Sequence, residues 1–257
     1  MPAQVNVLRP TNALAERALL CGDPARCLGL ATALLDRPLM FNHARGLWGY
    51  TGTAADGAPL TIQATGLGAA SAAIVTDELF RLGLRTAIRV GTARALPVGG
   101  DDALTAGDAL VVTGALAGDG PSRALGAGDV VRPDPRLAAA LAADAPTAGL
   151  VATSDLLQAP ATTSAADGSL ALAADLQTAT VLQVAALHGL PAAAILVVTG
   201  AVAGGDGGLD DDALLAAVRR AAAVAALAFG IPARTAPPLP PPREDERPAD
   251  SGARVTA

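Results

Sequence analysis

Short apolar runs alternate with longer stretches of helical period along most of the chain. Runs at 17–21 (RALLC), 59–65 (PLTIQAT), 85–91 (RTAIRVG), 107–113 (GDALVVT), 149–153 (GLVAT) and 192–198 (AAAILVV) have strand length and are bounded by turn-forming residues. Between them, 24–35, 70–82, 134–143, 170–188 and 210–228 read as helices. Strands alternating with helices of this length predict an α/β layer fold with a largely parallel sheet. In such folds ligands sit beyond the carboxyl ends of the strands, so the residues just after each run carry the interest. From Pro232 the pattern stops. Residues 232–257 are rich in Pro and charge with almost no large apolar side chain, which predicts a disordered tail behind a single domain at 1–231.

Composition sharpens this picture. The chain has 257 residues, of which 51% are hydrophobic and only 2% aromatic, so its core has to be built from Ala, Leu and Val. The formal net charge is −6 and every basic residue is Arg, a balance that argues against a nucleic-acid binder. Any bound anion must then be held locally. The longest apolar stretches, near 179–187 and 190–203, are too short or too interrupted to span a bilayer, and no secretory signal pattern opens the chain. A cytoplasmic, soluble protein is expected. Cys21 and Cys27 match no zinc or redox spacing and read as free thiols, and His43 and His188 read as structural, with no metal site.

Candidate chemistry gathers after the strands. Gly22-Asp23-Pro24-Ala25-Arg26 reads as a capped helix start, Asp23 being a good N-cap and Pro24 a good first helical residue. Such a turn is either an anion site clamped by Arg26 or simply a capped helix with a surface arginine. Arg89 lies between Ile88 and Val90, where a guanidinium needs a partner: a ligand, given the room left by Ala87 and Gly91, or an internal carboxylate. Thr92 follows with a hydroxyl. Arg45 sits in a hairpin-like stretch, 41–50, and reads locally as solvated. Thr65-Gly66-Leu67-Gly68 allows close backbone approach to a sugar or phosphate, or is a glycine turn for geometry alone. Asp175 and Gln177 interrupt an apolar helix and need hydrogen-bond partners, from a ribose or from within the chain.

Taken in order, GDPAR at 22–26, RGLWGYTGT at 45–53, TGLGAASAAIVTDEL at 65–79, IRVGT at 88–92, GDALVVTGALAGDGPSR at 107–123, ATSDLL at 152–157 and DLQTATVLQVAALHG at 175–189 resemble the nucleoside phosphorylase family, which includes purine nucleoside and uridine phosphorylases. The likeness covers nearly all of 8–229. It implies a single-domain, three-layer phosphorylase-like fold, with a central mixed, largely parallel sheet flanked by helices. It implies phosphorolysis of a nucleoside to free base and ribose 1-phosphate, with inorganic phosphate as co-substrate and no cofactor. By motif, Gly22, Arg26, Arg89 and Thr92 would hold phosphate. Arg45 would enter the site of a neighbouring subunit, implying a homo-oligomer, either a dimer or a trimer of dimers. Leu67, Arg94, Asp175, Leu176 and Gln177 would contact ribose or base, with Arg89 and Gln177 as the residues of catalysis.

The sequence also departs from that pattern. Gln177 replaces the family's ribose-gripping glutamate, and an amide offers one accepting oxygen where a carboxylate offers two. Gly200 stands where purine enzymes carry a base-protonating aspartate, Arg94 where the family usually has glycine, and Leu156 to Pro160 supplies only Gln158 for uracil recognition. Two residues apart on a helix, Asp175 and Gln177 are expected to point in different directions. Uridine is favoured slightly over a purine nucleoside. A catalytically impaired, nucleoside- or nucleotide-binding relative is the alternative, and the arginines count against a hydrolytic nucleosidase.

Overall fold

A computed structural model of the chain describes residues 5–97, 103–145, 147–156, 163–202 and 208–231. The expected tail at 232–257 and Gln158 lie outside the described residues. In chain order the elements are β1 (Arg17–Cys21), α1 (Pro24–Leu34), β2 (Asp36–Asn42), β3 (Gly49–Thr53), β4 (Pro59–Ala64), α2 (Gly68–Arg81), β5 (Thr86–Ala95), β6 (Ala109–Ala117), α3 (Gly120–Ala124), β7 (Val130–Val131), α4 (Pro135–Ala142), β8 (Thr147–Thr153), β9 (Ala171–Asp175), α5 (Thr178–Leu187), β10 (Ala192–Ala201) and α6 (Asp211–Ala228).

Period-2 alternation along the strands builds three layers. Leu20, Ala87 and Ala194 face one way and join Val75 and Leu79 of α2 and Val181 and Val184 of α5 in one buried cluster. Their neighbours Leu19, Ile88 and Ile195 face the other way, against Leu30 of α1, Leu141 of α4 and Val218 and Ala221 of α6. Alanines supply much of the helix faces, as in α6, where Ala217, Ala221, Ala222, Ala225 and Ala226 are buried. With so few aromatics, small side chains that let helices lie close to the sheet take over the packing.

The sheet is mixed. β1 pairs in parallel with β4 and β5, β5 with β10, and β8 with β6 and β9. The antiparallel pairs are β2–β3–β4 at one edge, β6 with β7 and β10, and β5 with β9. The path of β5 positions the site. One of its edges runs along β10 from Ala87 to Ala93. Its other edge pairs with β1 only as far as Arg89, and with β9 only from Arg94. Between Val90 and Ala93 that edge has no strand partner among the described residues, so the sheet opens there, at the kind of switch point where α/β folds bind ligands.

Two expectations need correcting. The stretch 170–188 is a strand and a helix, β9 and α5, separated by Leu176 and Gln177. An uninterrupted apolar run has the same signature in a buried strand and a buried helix, so periodicity cannot divide it. Cys21 and Cys27 are not free thiols but a disulfide. The capped turn folds the first turn of α1 back against the end of β1, bringing the two α-carbons to 6.2 Å, within disulfide reach.

Candidate active site

The opening beside β5 is a cavity of about 380 Å³, within the size range of small-molecule sites. Gly22, Arg26, Leu67, Arg89, Thr92, Arg94, Asp175, Leu176 and Gln177 all line it. Residues from 22–26, 65–68, 89–94 and 175–177 thus converge, and together they include every singled-out site residue except Arg45.

On the β1 side, Asp23 caps α1 by accepting from the Arg26 backbone N–H at 2.8 Å, with Pro24 opening the helix. The helix N-terminus therefore faces the cavity beside Gly22, an arrangement favourable to anions. The Arg26 guanidinium donates to Thr92 Oγ1 at 3.4 Å, and its Nε lies 3.8 Å from Asp23 Oδ1. Burial pulls its pKa below the usual arginine value. Asp23 partly offsets this, while the nearby positive charge of Arg89 adds to it. Two guanidiniums held close in a partly dry cavity favour a shared anion.

Arg89 is 4% exposed. Its Nη2 donates to Asp175 Oδ2 at 2.9 Å, its Nη1 to Gln177 Oε1 at 2.6 Å and its Nε to Thr178 Oγ1 at 3.1 Å. The internal carboxylate and the ligand-facing reading of Arg89 are compatible. Each Nη carries two N–H groups, and among the described residues each keeps one without a partner. The space expected at Gly91 is filled by Arg89 itself: a β-carbon on Gly91 would lie 2.7 Å from Arg89 Cζ and 2.8 Å from Leu196 Cδ2. Gly91→Ala is therefore expected to cost about 1–3 kcal/mol by overpacking and to displace the guanidinium, read as a lower melting temperature.

Asp175 closes the network from beneath. Its carboxylate also accepts from Thr153 Oγ1 at 2.7 Å, from Thr178 Oγ1 at 2.7 Å and from the backbone N–H groups of Gln177 and Thr178 at 3.1 and 3.0 Å. Those last two bonds end β9 and start α5. They also turn Asp175 and Gln177 onto the same guanidinium, contrary to the divergence expected of a helix. A fully bonded buried pair of this kind orients its arginine firmly.

Arg45 is exposed on a short 3₁₀ turn at Ala44–Gly46, in a left-handed conformation (φ 58°, ψ 21°), and does not line its own chain's cavity. Leu67 is 82% exposed at the rim. Arg94 pairs across the strands with Ala174 of β9, and both line the cavity on that side. Gly200 falls within β10, and its neighbours Thr199 and Val202 line the cavity instead. The sequence reading does not single out Thr153, Ser154, Thr178 or Thr199, nor the hydroxyl of Thr65 within its glycine turn. Ser154 and Thr199 directly follow predicted strand runs, and that position was the available signal. Among the described residues no group of three His, Cys, Asp or Glu side chains could hold a metal ion, and no helix is long and apolar enough to cross a membrane.

A family model described as the phosphorylase superfamily matches residues 16–230. The DeoD-type purine nucleoside phosphorylase of Clostridium perfringens is 44% identical over 81 residues, 31% of this chain and 34% of that protein. That of Geobacillus kaustophilus is 40% identical over 93 residues, 36% of this chain and 39% of that protein. The chain thus spans about a third of the length of these curated relatives. A crystal structure of uridine phosphorylase from Vibrio fischeri superposes with a TM-score of 0.71 at 24% identity, covering 84% of this chain and 92% of that one. That likeness is one of fold.

Proposed function

The chain belongs to the phosphorylase superfamily, and on that premise we propose that it catalyses phosphorolysis of a nucleoside, giving free base and a sugar 1-phosphate. The convergence of Arg26, Arg89 and Thr92 on one cavity, with N–H groups of Arg89 uncommitted among the described residues, supports this most directly. In this proposal the Gly22 amide, Arg26, Arg89 and Thr92 hold phosphate, positioned for in-line attack on C1′ as the glycosidic bond breaks. The fixed guanidiniums offset charge on the phosphate without reorganising, because Asp175 and Thr178 have already oriented Arg89. Inorganic phosphate is the co-substrate and no cofactor takes part. Arg45, exposed and outside its own cavity, is proposed to serve a neighbouring copy in a homo-oligomer.

Uridine is proposed ahead of a purine nucleoside. A departing purine is helped by a proton from an acid. The carboxylates lining the cavity, Asp23 and Asp175, are engaged in capping α1 and in binding Arg89. A departing uracil needs hydrogen-bond donors, and Arg94 lines the wall on the β9 side. A nucleoside-binding protein without turnover is the second reading, favoured by the internal engagement of Gln177. Incubation with a panel of nucleosides, with and without phosphate, separates the two. The proposal expects base release that requires phosphate and is fastest with uridine. Saturable binding without release supports the second reading.

A further inference from the structure

Past Thr92, strand β5 brings one more cation to the cavity. Ala87 and Ala93 belong to the α2 and α5 side of the sheet, and Ile88 and Val90 to the α1 and α6 side. By alternation Arg89 faces the first side, whereas Thr92 and Arg94 face the second. Arg94 therefore follows the point where Arg26 meets Thr92, two residues or about 7 Å further along the strand. It is partly buried there. Ala174, Leu176, Leu156 and Val202 line the cavity with it and offer apolar surface to the face of a planar ring.

Charge sets this arginine apart from the other two in the cavity. Arg89 is answered by Asp175 at 2.9 Å, and Arg26 by Asp23 at 3.8 Å. Ion pairs among the described residues involve Arg17, Arg26, Arg37, Arg81, Arg89 and His188, and none reaches Arg94. Two hydroxyls on the same wall are spent: Ser154 Oγ donates to the Leu156 carbonyl at 2.7 Å, and Thr199 Oγ1 to the Ala93 carbonyl at 3.3 Å. Among the described residues the guanidinium of Arg94 makes no hydrogen bond, so its five N–H donors are open to a ligand. A partly buried cation without a counter-charge favours a ligand that brings one.

We infer that Arg94 is the specificity-determining residue of the cavity's base end, and that the nucleosides bound most tightly are those whose base is anionic at neutral pH. The inference rests on the nucleoside reading above. A guanidinium fork meets a ring oxyanion and the neighbouring ring nitrogen or carbonyl with two parallel hydrogen bonds, and a ring amino group would set donor against donor. A neutral dione such as uracil offers carbonyls first and becomes anionic only as its bond to C1′ breaks. A base that is already anionic makes the charged bond before reaction. Arg94 then tightens its binding without a matching gain in turnover.

Xanthosine and inosine provide the comparison, since the additional ring oxygen of xanthosine makes its base the more acidic, largely ionised at mildly alkaline pH where that of inosine is neutral. Each is titrated calorimetrically into the wild-type protein with saturating sulfate, an oxyanion of phosphate shape that is a poor nucleophile. Xanthosine is expected to bind at least about tenfold more tightly, as a charged hydrogen bond gives. In Arg94→Met the two affinities should come within about twofold, and Arg94→Lys, which keeps the charge without the fork, should retain part of the preference. Phosphate affinity should stay within about twofold of the wild type in both variants, which separates the effect from a general loss of structure. Xanthosine binding no tighter than inosine, or a preference that survives in Arg94→Met, overturns the inference while leaving the phosphorylase reading to its own test of base release. Tighter, Arg94-dependent binding of inosine 5′-monophosphate than of xanthosine also overturns it, because the anion would then belong to the sugar. A wild-type protein that binds none of these nucleosides and releases no base from any nucleoside overturns both together.

Discussion

Replacing Arg89 by alanine is expected to abolish phosphate-dependent turnover and to destabilise the fold at the same time. The guanidinium is the shared partner of Asp175, Gln177 and Thr178. Removing it leaves the Asp175 carboxylate, whose side chain is 0% exposed, without its counter-charge. Breaking one half of a buried pair costs about 3–5 kcal/mol, a large share of a domain's stability. Loss of a preorganised donor to the phosphate should lower kcat/KM by at least about a hundredfold. The two losses separate in the double variant Arg89→Met/Asp175→Leu. Replacing both charges with apolar side chains of similar volume is often nearly neutral or even stabilising, so thermal stability should largely return while turnover does not. Return of turnover in the double variant would show that the arginine serves the fold alone.

The second large effect is expected at Arg26, with the opposite balance. This guanidinium is partly buried, and burial and Arg89 both press its pKa downward. Its contacts with Thr92 and Asp23 are long, at 3.4 and 3.8 Å. Arg26→Ala removes a costly burial and a repulsion, while the cap on α1 survives because Asp23 accepts from the backbone N–H of residue 26. Stability should stay within about 0.5 kcal/mol of the wild type. Turnover should fall by about a hundred- to a thousandfold, most visibly at low phosphate. Thermal melts beside phosphate-saturation kinetics check both halves. Unchanged kinetics would mean that the anion is held without this residue.

Much of the site was legible because its residues follow strand runs that the hydrophobic pattern marks unambiguously. RALLC at 17–21 and the run beginning at 85 became β1 and β5, and GDPAR became the capped turn where Arg26 meets the cavity. The convergence of Asp175 with Gln177 on Arg89 was not legible. It depends on a strand-to-helix junction inside a stretch apolar throughout, where only the side-chain bonds of Asp175 mark the boundary. Gly91 is subtler: the sequence shows the missing side chain, but the occupant of the space is the neighbouring arginine. Thr65 and Thr178 are hydroxyl links between segments far apart in sequence, and nothing local distinguishes them from other threonines. The Cys21–Cys27 bond was hidden for a related reason, since its closeness comes from the turn between β1 and α1 and not from a recognisable spacing.

Calorimetric titration of inorganic phosphate into the wild-type protein and into Arg26→Ala addresses the anion site without requiring any substrate. If Arg26, Arg89 and Thr92 share one oxyanion, the wild type binds a single phosphate per chain, and Arg26→Ala, still folded, binds it at least about tenfold more weakly. Equal phosphate affinity in the two proteins, or none in the wild type, would contradict a phosphate site built at this break in the sheet.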